Sequence, residues 1–181
     1  MIFSPADAQG LHMPHADPLV IHMQIGTKRV RRVLVDTGSS VDILYWEAFE
    51  QLGIFPSTLK PYLGKLVGFS GHEVDVAGTI ELLLTLGEGP TRRAEFVEFT
   101  VVRLPSVYNA IMGRASLSRF QAVVSIYHFK LKFPTEGGIG EADGRQGEGR
   151  ACYVSSLKST AGSRVCCIEG KGNSKMKTSS R

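Results

Sequence analysis

A carboxylate can do acid–base work when an apolar strand delivers it into a loop, and one position of this 181-residue chain fits that description. Asp36 follows the branched run Val33-Leu34-Val35 and opens the tripeptide Asp36-Thr37-Gly38, ahead of Ser39-Ser40. Gly38, without a Cβ, lets the backbone turn sharply beside the acid, and Thr37 carries a hydroxyl able to brace the loop. Ionised, Asp36 could take a proton from water; protonated, it could give one to an oxygen. The bare tripeptide is also the composition of an ordinary turn, so its weight rests on what surrounds it. Asp7, Asp17, Asp42, Asp75 and Asp143 begin no second Asp-Thr-Gly or Asp-Ser-Gly. One chain therefore offers one such carboxylate.

Other chemistries lack their parts. Ser39 or Ser40 with His12, His15, His22, His72 or His128 would make a nucleophile and base, but there is no Gly-x-Ser-x-Gly elbow and nothing to orient a histidine. His22 and His128 read as solvated positions on strands. Walker and dinucleotide fingerprints are absent, and Cys152, Cys166 and Cys167 have no zinc-site spacing, so no metal and no cofactor is expected. The odd cysteine count reads as reduced thiols. Apolar residues make up 43% and charged residues 21%, which suits one globular domain, and the net charge of +4 falls mainly in residues 135–181. Lys171, Lys175 and Lys177 stand without interleaved aromatics, so nucleic-acid binding is not expected of the domain itself. No membrane-length apolar run or signal peptide is legible, and an intracellular, cytoplasmic location is expected.

The elements that must hold Asp36 follow from period and punctuation. Residues 1–18, with Pro5, Pro14 and Pro18, read as a flexible lead-in. Leu19, Ile21, Met23 and Ile25 alternate, Gly26-Thr27-Lys28 turns, and the run to Val35 returns, predicting a hairpin whose second arm ends at Asp36. Trp46, Phe49 and Leu52 ahead of Gly53 predict a short helix from Tyr45 to Leu52. Lys65–Val67 and Val74–Val76 flank Gly68-Phe69-Ser70-Gly71-His72-Glu73, a projecting hairpin. Ile80–Leu86 and Arg92–Val102 predict strands, Leu117 and Phe120 sit at helical spacing, and Tyr127, Phe129, Leu131 and Phe133 alternate until Pro134 stops them. From Thr135 on, glycine, serine and lysine prevail without apolar period, so the domain is placed at residues 19–134 and a tail at 135–181.

Four blocks carry a resemblance: Val33-Leu34-Val35-Asp36-Thr37-Gly38-Ser39-Ser40, Asp42-Ile43-Leu44-Tyr45, Tyr108-Asn109-Ala110-Ile111-Met112-Gly113-Arg114 and Phe129-Lys130-Leu131-Lys132-Phe133-Pro134-Thr135. Over roughly residues 14–157 the chain resembles the retropepsin-like aspartic protease region of plant Ty3/gypsy-type retrotransposon gag-pol polyproteins. The segment from Gly138 through Tyr153 looks like the joint that leads toward reverse transcriptase in them. Ala115 departs from the family, which commonly has proline there.

The resemblance implies an all-β retropepsin-like acid protease fold: a small closed β-barrel with a flap hairpin, one or two short helices, and half a site per monomer, completed by a C2 homodimer. It implies Asp36, Thr37 and Gly38 as the catalytic tripeptide, and Ser39, Gly68, Phe69, Ser70, Gly71, Ile111 and Met112 around a peptide or polyprotein substrate. Gly68–Glu73 would be the flap, though an exposed hairpin reads equally well, and Ile111 and Met112 could equally be core. Asp42, Gly113 and Arg114 are expected to support the site, either through an Asp42–Arg114 ion pair or with Asp42 as the cap of the helix that follows it, Tyr45–Leu52. Two Asp36 carboxylates about 3 Å apart could not both ionise, so the pair would share a proton and activate a water, with activity in a mildly acidic window. The alternative is a catalytically silent retropepsin-fold module, an element-derived relic that binds peptide or dimerises without turnover.

Overall fold

A computed structural model of the chain describes residues 1–64, 66, 67 and 73–159. Its β1 (Val20–Ile25) and β2 (Lys28–Val35) form the expected hairpin; β3 (Asp42–Tyr45) runs into α1 (Trp46–Leu52). Further on, β4 (Val76–Leu86) and β5 (Arg93–Val102) form a long antiparallel pair, and β6 (Ala110–Met112) precedes α2 (Arg114–Arg119). These six strands close into a barrel in the order β1-β2-β6-β3-β5-β4. Closure follows from apolar side chains that alternate inward on every strand: Ile21, Val33, Leu44, Leu84, Phe99 and Ala110 meet inside with essentially no exposure. Helix α1 ends at Gly53, φ 73°, and seats Phe49 in the same core.

Strand β2 is not regular. Ile21 pairs with Val33 and Met23 with Val30, so three steps on β2 match two on β1, and Arg32 takes the left-handed conformation at φ 56°. This β-bulge sends Arg31 and Arg32 both to the surface, where strict alternation would have put one of them inward. A branched or long side chain at such a φ costs on the order of 1 kcal/mol, which the surrounding pairing must hold in place.

A second layer, the three-stranded sheet of β7 (Val123–Ser125), β8 (Lys130–Thr135) and β9 (Gly138–Asp143), packs against the barrel and leads into α3 (Gln146–Ser159). Strand β8 begins at Lys130 rather than Tyr127, because the Phe129 N–H donates to the Ile126 carbonyl in a turn that leaves Phe129 at φ 51°. Pro134 does not end it. The pairing of β7 stops at Lys132, so Pro134 has only β9 beside it and its missing donor is tolerated.

Ordered structure extends on both sides of residues 19–134. Asp7, in a 3-10 turn at Pro5–Ala8, takes the Ser4 N–H at 2.7 Å and sits 2.9 Å from Lys132 Nζ and 3.2 Å from Lys130 Nζ. The Ser4 N–H first, then Lys132, hold its carboxyl well below the usual carboxylate range. The two lysines also meet Glu141, whose negative charge together with Asp7 keeps Lys130 above the usual lysine range although burial opposes it. A lowered carboxyl stabilises the docked segment above the ordinary Asp range and ceases to do so as pH falls through it. Acidification below about pH 4, or Asp7→Asn at neutral pH, should therefore lower the protection factors of amides in residues 1–10, each taken against the intrinsic exchange rate at that pH, while β4 and β5 stay protected. Unchanged protection would mean that the other contacts of the segment, Phe3 stacked on His128 and the Ile2 carbonyl on Lys132 Nζ, hold it without Asp7.

Candidate active site

The elements around Asp36 converge because β6 lies between two others. It pairs in parallel with β2, Val35 opposite Met112, and antiparallel with β3, Ile43 opposite Ile111. The hydrogen bonding continues one residue past β2, where the Asp36 N–H donates to the Met112 carbonyl at 3.0 Å. Asp36 is thereby fixed at the edge of the barrel with its side chain half-buried. The loop folds back on it: the Gly38 N–H donates to Asp36 Oδ1 at 2.8 Å, and the Ser39 N–H to the Asp36 carbonyl at 3.3 Å. A Cβ on Gly38 would lie 3.1 Å from Oδ1 and crowd the acid. One N–H thus orients one carboxylate oxygen, and the other meets no donor among the described residues.

Beneath the loop, Ser39 Oγ donates to the Val41 carbonyl at 2.8 Å, and the Ser39 carbonyl accepts the Arg114 N–H at 2.9 Å. Gly113 slides under the same turn; a Cβ there would collide with the Val41 carbonyl oxygen and stand 3.0 Å from that of Ser39. Asp42, 1% exposed, receives the Gly113 N–H at Oδ1, 2.7 Å, and the Ser116 N–H at Oδ2, 3.1 Å. It therefore caps the first turn of α2 from a distant strand, and not the helix that follows it in sequence: α1, with Tyr45 at its N-cap, has no side-chain cap, because β3 pairing carries the Asp42 side chain under the Gly113 turn. Burial pushes its carboxyl up, partly offset by the Gly113 and Ser116 N–H groups. The Arg114 guanidinium makes no ion pair with Asp42; its side chain is exposed, and it is the Arg114 backbone that ties α2 to the Asp36 loop.

Of the expected site residues, Asp36, Gly38, Ser39, Asp42, Gly113 and Arg114 come together. Thr37 is exposed and its hydroxyl has no partner among the described residues. Met112 turns its side chain into the core at 1% exposure and offers only its carbonyl, while Ile111 on the opposite face is half-buried. Gly68, Phe69, Ser70 and Gly71 lie outside the described residues. The flanks beside them do pair: Val67 faces Glu73 antiparallel, and the Val74 N–H donates to the Leu66 carbonyl at 2.8 Å. Asn109, not singled out by sequence reasoning, pins the entry to β6: its N–H donates to the Arg32 carbonyl at 3.0 Å and its side chain to the Arg31 carbonyl at 2.7 Å. A polar residue just ahead of a three-residue buried strand was the signal that could have found it.

No protein-family model matches the chain, and no curated protein sequence matches it. Solved structures do. The chain is similar to the retroviral protease-like domain of Ddi1 from Leishmania major, with a TM-score of 0.54 and 17% identity over 70% of this chain and 95% of that one. A retropepsin-like aspartic protease from Rickettsia conorii gives a TM-score of 0.43 at 17% identity, over 68% of this chain and 80% of that one. EIAV protease complexed with the inhibitor HBY-793 gives 0.45 at 20%, over 64% and 100%. The fold, a closed barrel of short strands with few helices, is retropepsin-like.

Proposed function

We propose that the chain is one half of an aspartic endopeptidase, completed when a second copy brings its own Asp36 across a two-fold axis. The observation that supports this most is the Asp36 loop: a single carboxylate at the end of a barrel strand, one oxygen held by the Gly38 N–H, the loop clamped from below by β6 and α2. Two such carboxylates face to face would share one proton. The ionised partner takes a proton from a water as it attacks the peptide carbonyl; the protonated partner gives its proton to the carbonyl oxygen, and a proton then returns to the leaving nitrogen. The bond that breaks is the C–N bond, and no covalent enzyme intermediate is needed.

The substrate under this reading is an extended, largely apolar peptide segment. Its backbone would add to strand edges, with Ser39 and Ile111 beside it and residues 68–72 as the flap above. The sequence blocks around Asp36 and Gly113 support an origin in a plant Ty3/gypsy-type polyprotein, with that polyprotein as the substrate.

Half-sites make a quantitative demand. Specific activity on a peptide library at mildly acidic pH should rise with protein concentration and level off in step with the dimer fraction seen by sedimentation. Folded monomer that cuts peptides at constant specific activity on dilution would refute the reading. Dimer that binds peptide without cutting would assign the silent module instead.

A further inference from the structure

We propose that the cavity between the upstream end of β2 and helix α3 is a docking site for an acidic polypeptide segment. The cavity has a volume of about 610 Å³, and Lys28, Arg29, Arg31 and Arg32 line one side of it. The bulge in β2 is what gathers these side chains, since it turns both Arg31 and Arg32 outward with Arg32 held at a positive φ. Like charges so close repel, and the four cations outnumber the one acid on the lining, although Arg29 also borders neighbouring cavities that Glu88, Glu141 and Asp143 line. Lys28 Nζ donates to the Gln51 carbonyl at 2.6 Å and Arg32 to Asn109 Oδ1 at 3.3 Å, both uncharged acceptors. Among the described residues no carboxylate pairs with any of the four. Glu148 is the one acid on the lining; its Oε1 meets His22 Nε2 at 2.9 Å and its Oε2 is buried without a partner, so it offsets one of the four positive charges and three remain in excess. A site left with this surplus of positive charge is complementary to an anion.

The lining also selects the class of anion. No aromatic residue borders the cavity, so it has no platform on which a nucleobase could stack. Val30, Leu52 and Val107 border it instead, and suit aliphatic side chains. Arg29 and Arg31 stand two residues apart on one strand, a spacing of about 7 Å, which matches acidic residues at alternate positions of an extended peptide. Guanidinium forks bind carboxylates bidentately. Residues 160–181 do not fit, because they hold Arg164, Lys171, Lys175, Lys177 and Arg181 and a single acid, Glu169. The occupant proposed is a separate acidic polypeptide. At about 3.3 Å per residue, Lys28–Arg32 lie roughly 13–26 Å along β2 from Asp36, so the docking site stands apart from the proposed catalytic centre and does not depend on it.

The test uses the full chain and a fluorescein-labelled peptide of alternating Glu and Leu, read by anisotropy at low salt. Its twin with Gln for every Glu should bind at least about tenfold more weakly, and the double variant Arg29→Gln/Arg31→Gln, both exposed positions, should lose about tenfold in affinity for the Glu peptide. Amide shifts of the unaltered protein on titration with the Glu peptide should concentrate at residues 28–32 and 148–155, a readout that needs no variant. Equal binding of the Glu and Gln peptides, an unaffected double variant, shifts confined elsewhere, or displacement of the peptide by a stoichiometric oligothymidylate would each overturn the proposal.

Discussion

Asp36→Asn should remove peptide cleavage by about 10²–10⁴-fold or more while leaving the fold and the dimer intact. Asn keeps the shape of the carboxylate and can still accept the Gly38 N–H that Asp36 Oδ1 accepts at 2.8 Å, so the loop has no reason to move. What it cannot do is ionise or pass a proton. The decisive version mixes the two proteins. If the site is shared, equal amounts of wild type and variant, allowed to exchange subunits, form about one quarter wild-type dimers, one half mixed and one quarter variant. Activity per total protein then falls to about a quarter of that of wild type alone. Were each chain to carry a whole site, about half would remain. A quarter supports the two-fold dyad, and a half excludes it whatever the absolute rate.

The second large effect concerns Asp42, which is buried at 1% exposure. Asp42→Ala leaves the Gly113 and Ser116 N–H groups buried without acceptors and should lower unfolding stability by on the order of 3 kcal/mol, read as a fall in the denaturant midpoint at unchanged slope. Against a domain stability of roughly 5–15 kcal/mol that is a large share. Asp42→Asn should cost about half as much, because its amide oxygen can replace one acceptor while its NH2 meets the other N–H. Proton linkage gives an independent check. Burial raises the Asp42 carboxyl, so over the window from the ordinary Asp range up to the raised value the folded state holds more proton than the unfolded state. The wild type should lose stability relative to Asp42→Asn as pH rises through that window, and the gap should stay constant above it. The opposite slope would mean that the two N–H donors outweigh burial. Exchange of residues 42 and 114 is not expected to restore function, since the Arg114 side chain is exposed and takes no part in the contact.

Much of the barrel was legible in the chain itself. Alternation from Leu19 to Ile25 and from Ile80 to Leu86, the helix ending at Gly53, and the apolar run into Asp36 each encode a local period that survives in the structure. What escaped is equally local in cause. Strand β9 shows no apolar period because its inward residues are Gly140 and Ala142: a Cβ on Gly140 would run into the Phe133 ring, so the large partner forces the small one and erases the hydrophobic signal. Helix α3 carries Gly147 and Gly149 and is weak on propensity alone. It is held by tertiary links, with Cys152 buried, Glu148 on His22, Arg150 on Asp17 and Gln146 on His12.

The amino-acid order alone determined that one acid stands at the end of a buried strand and that no second such motif exists, since both are facts of composition and spacing. Only the tertiary structure decided that Asp42 serves α2 rather than Arg114, that Met112 gives its carbonyl and not its side chain to the site, and that four cations share one cavity wall. Each of those depends on which groups are left unpaired when distant strands meet. A buried N–H takes the nearest acceptor that packing brings to it, and packing is a property of the closed barrel that no local stretch of residues contains.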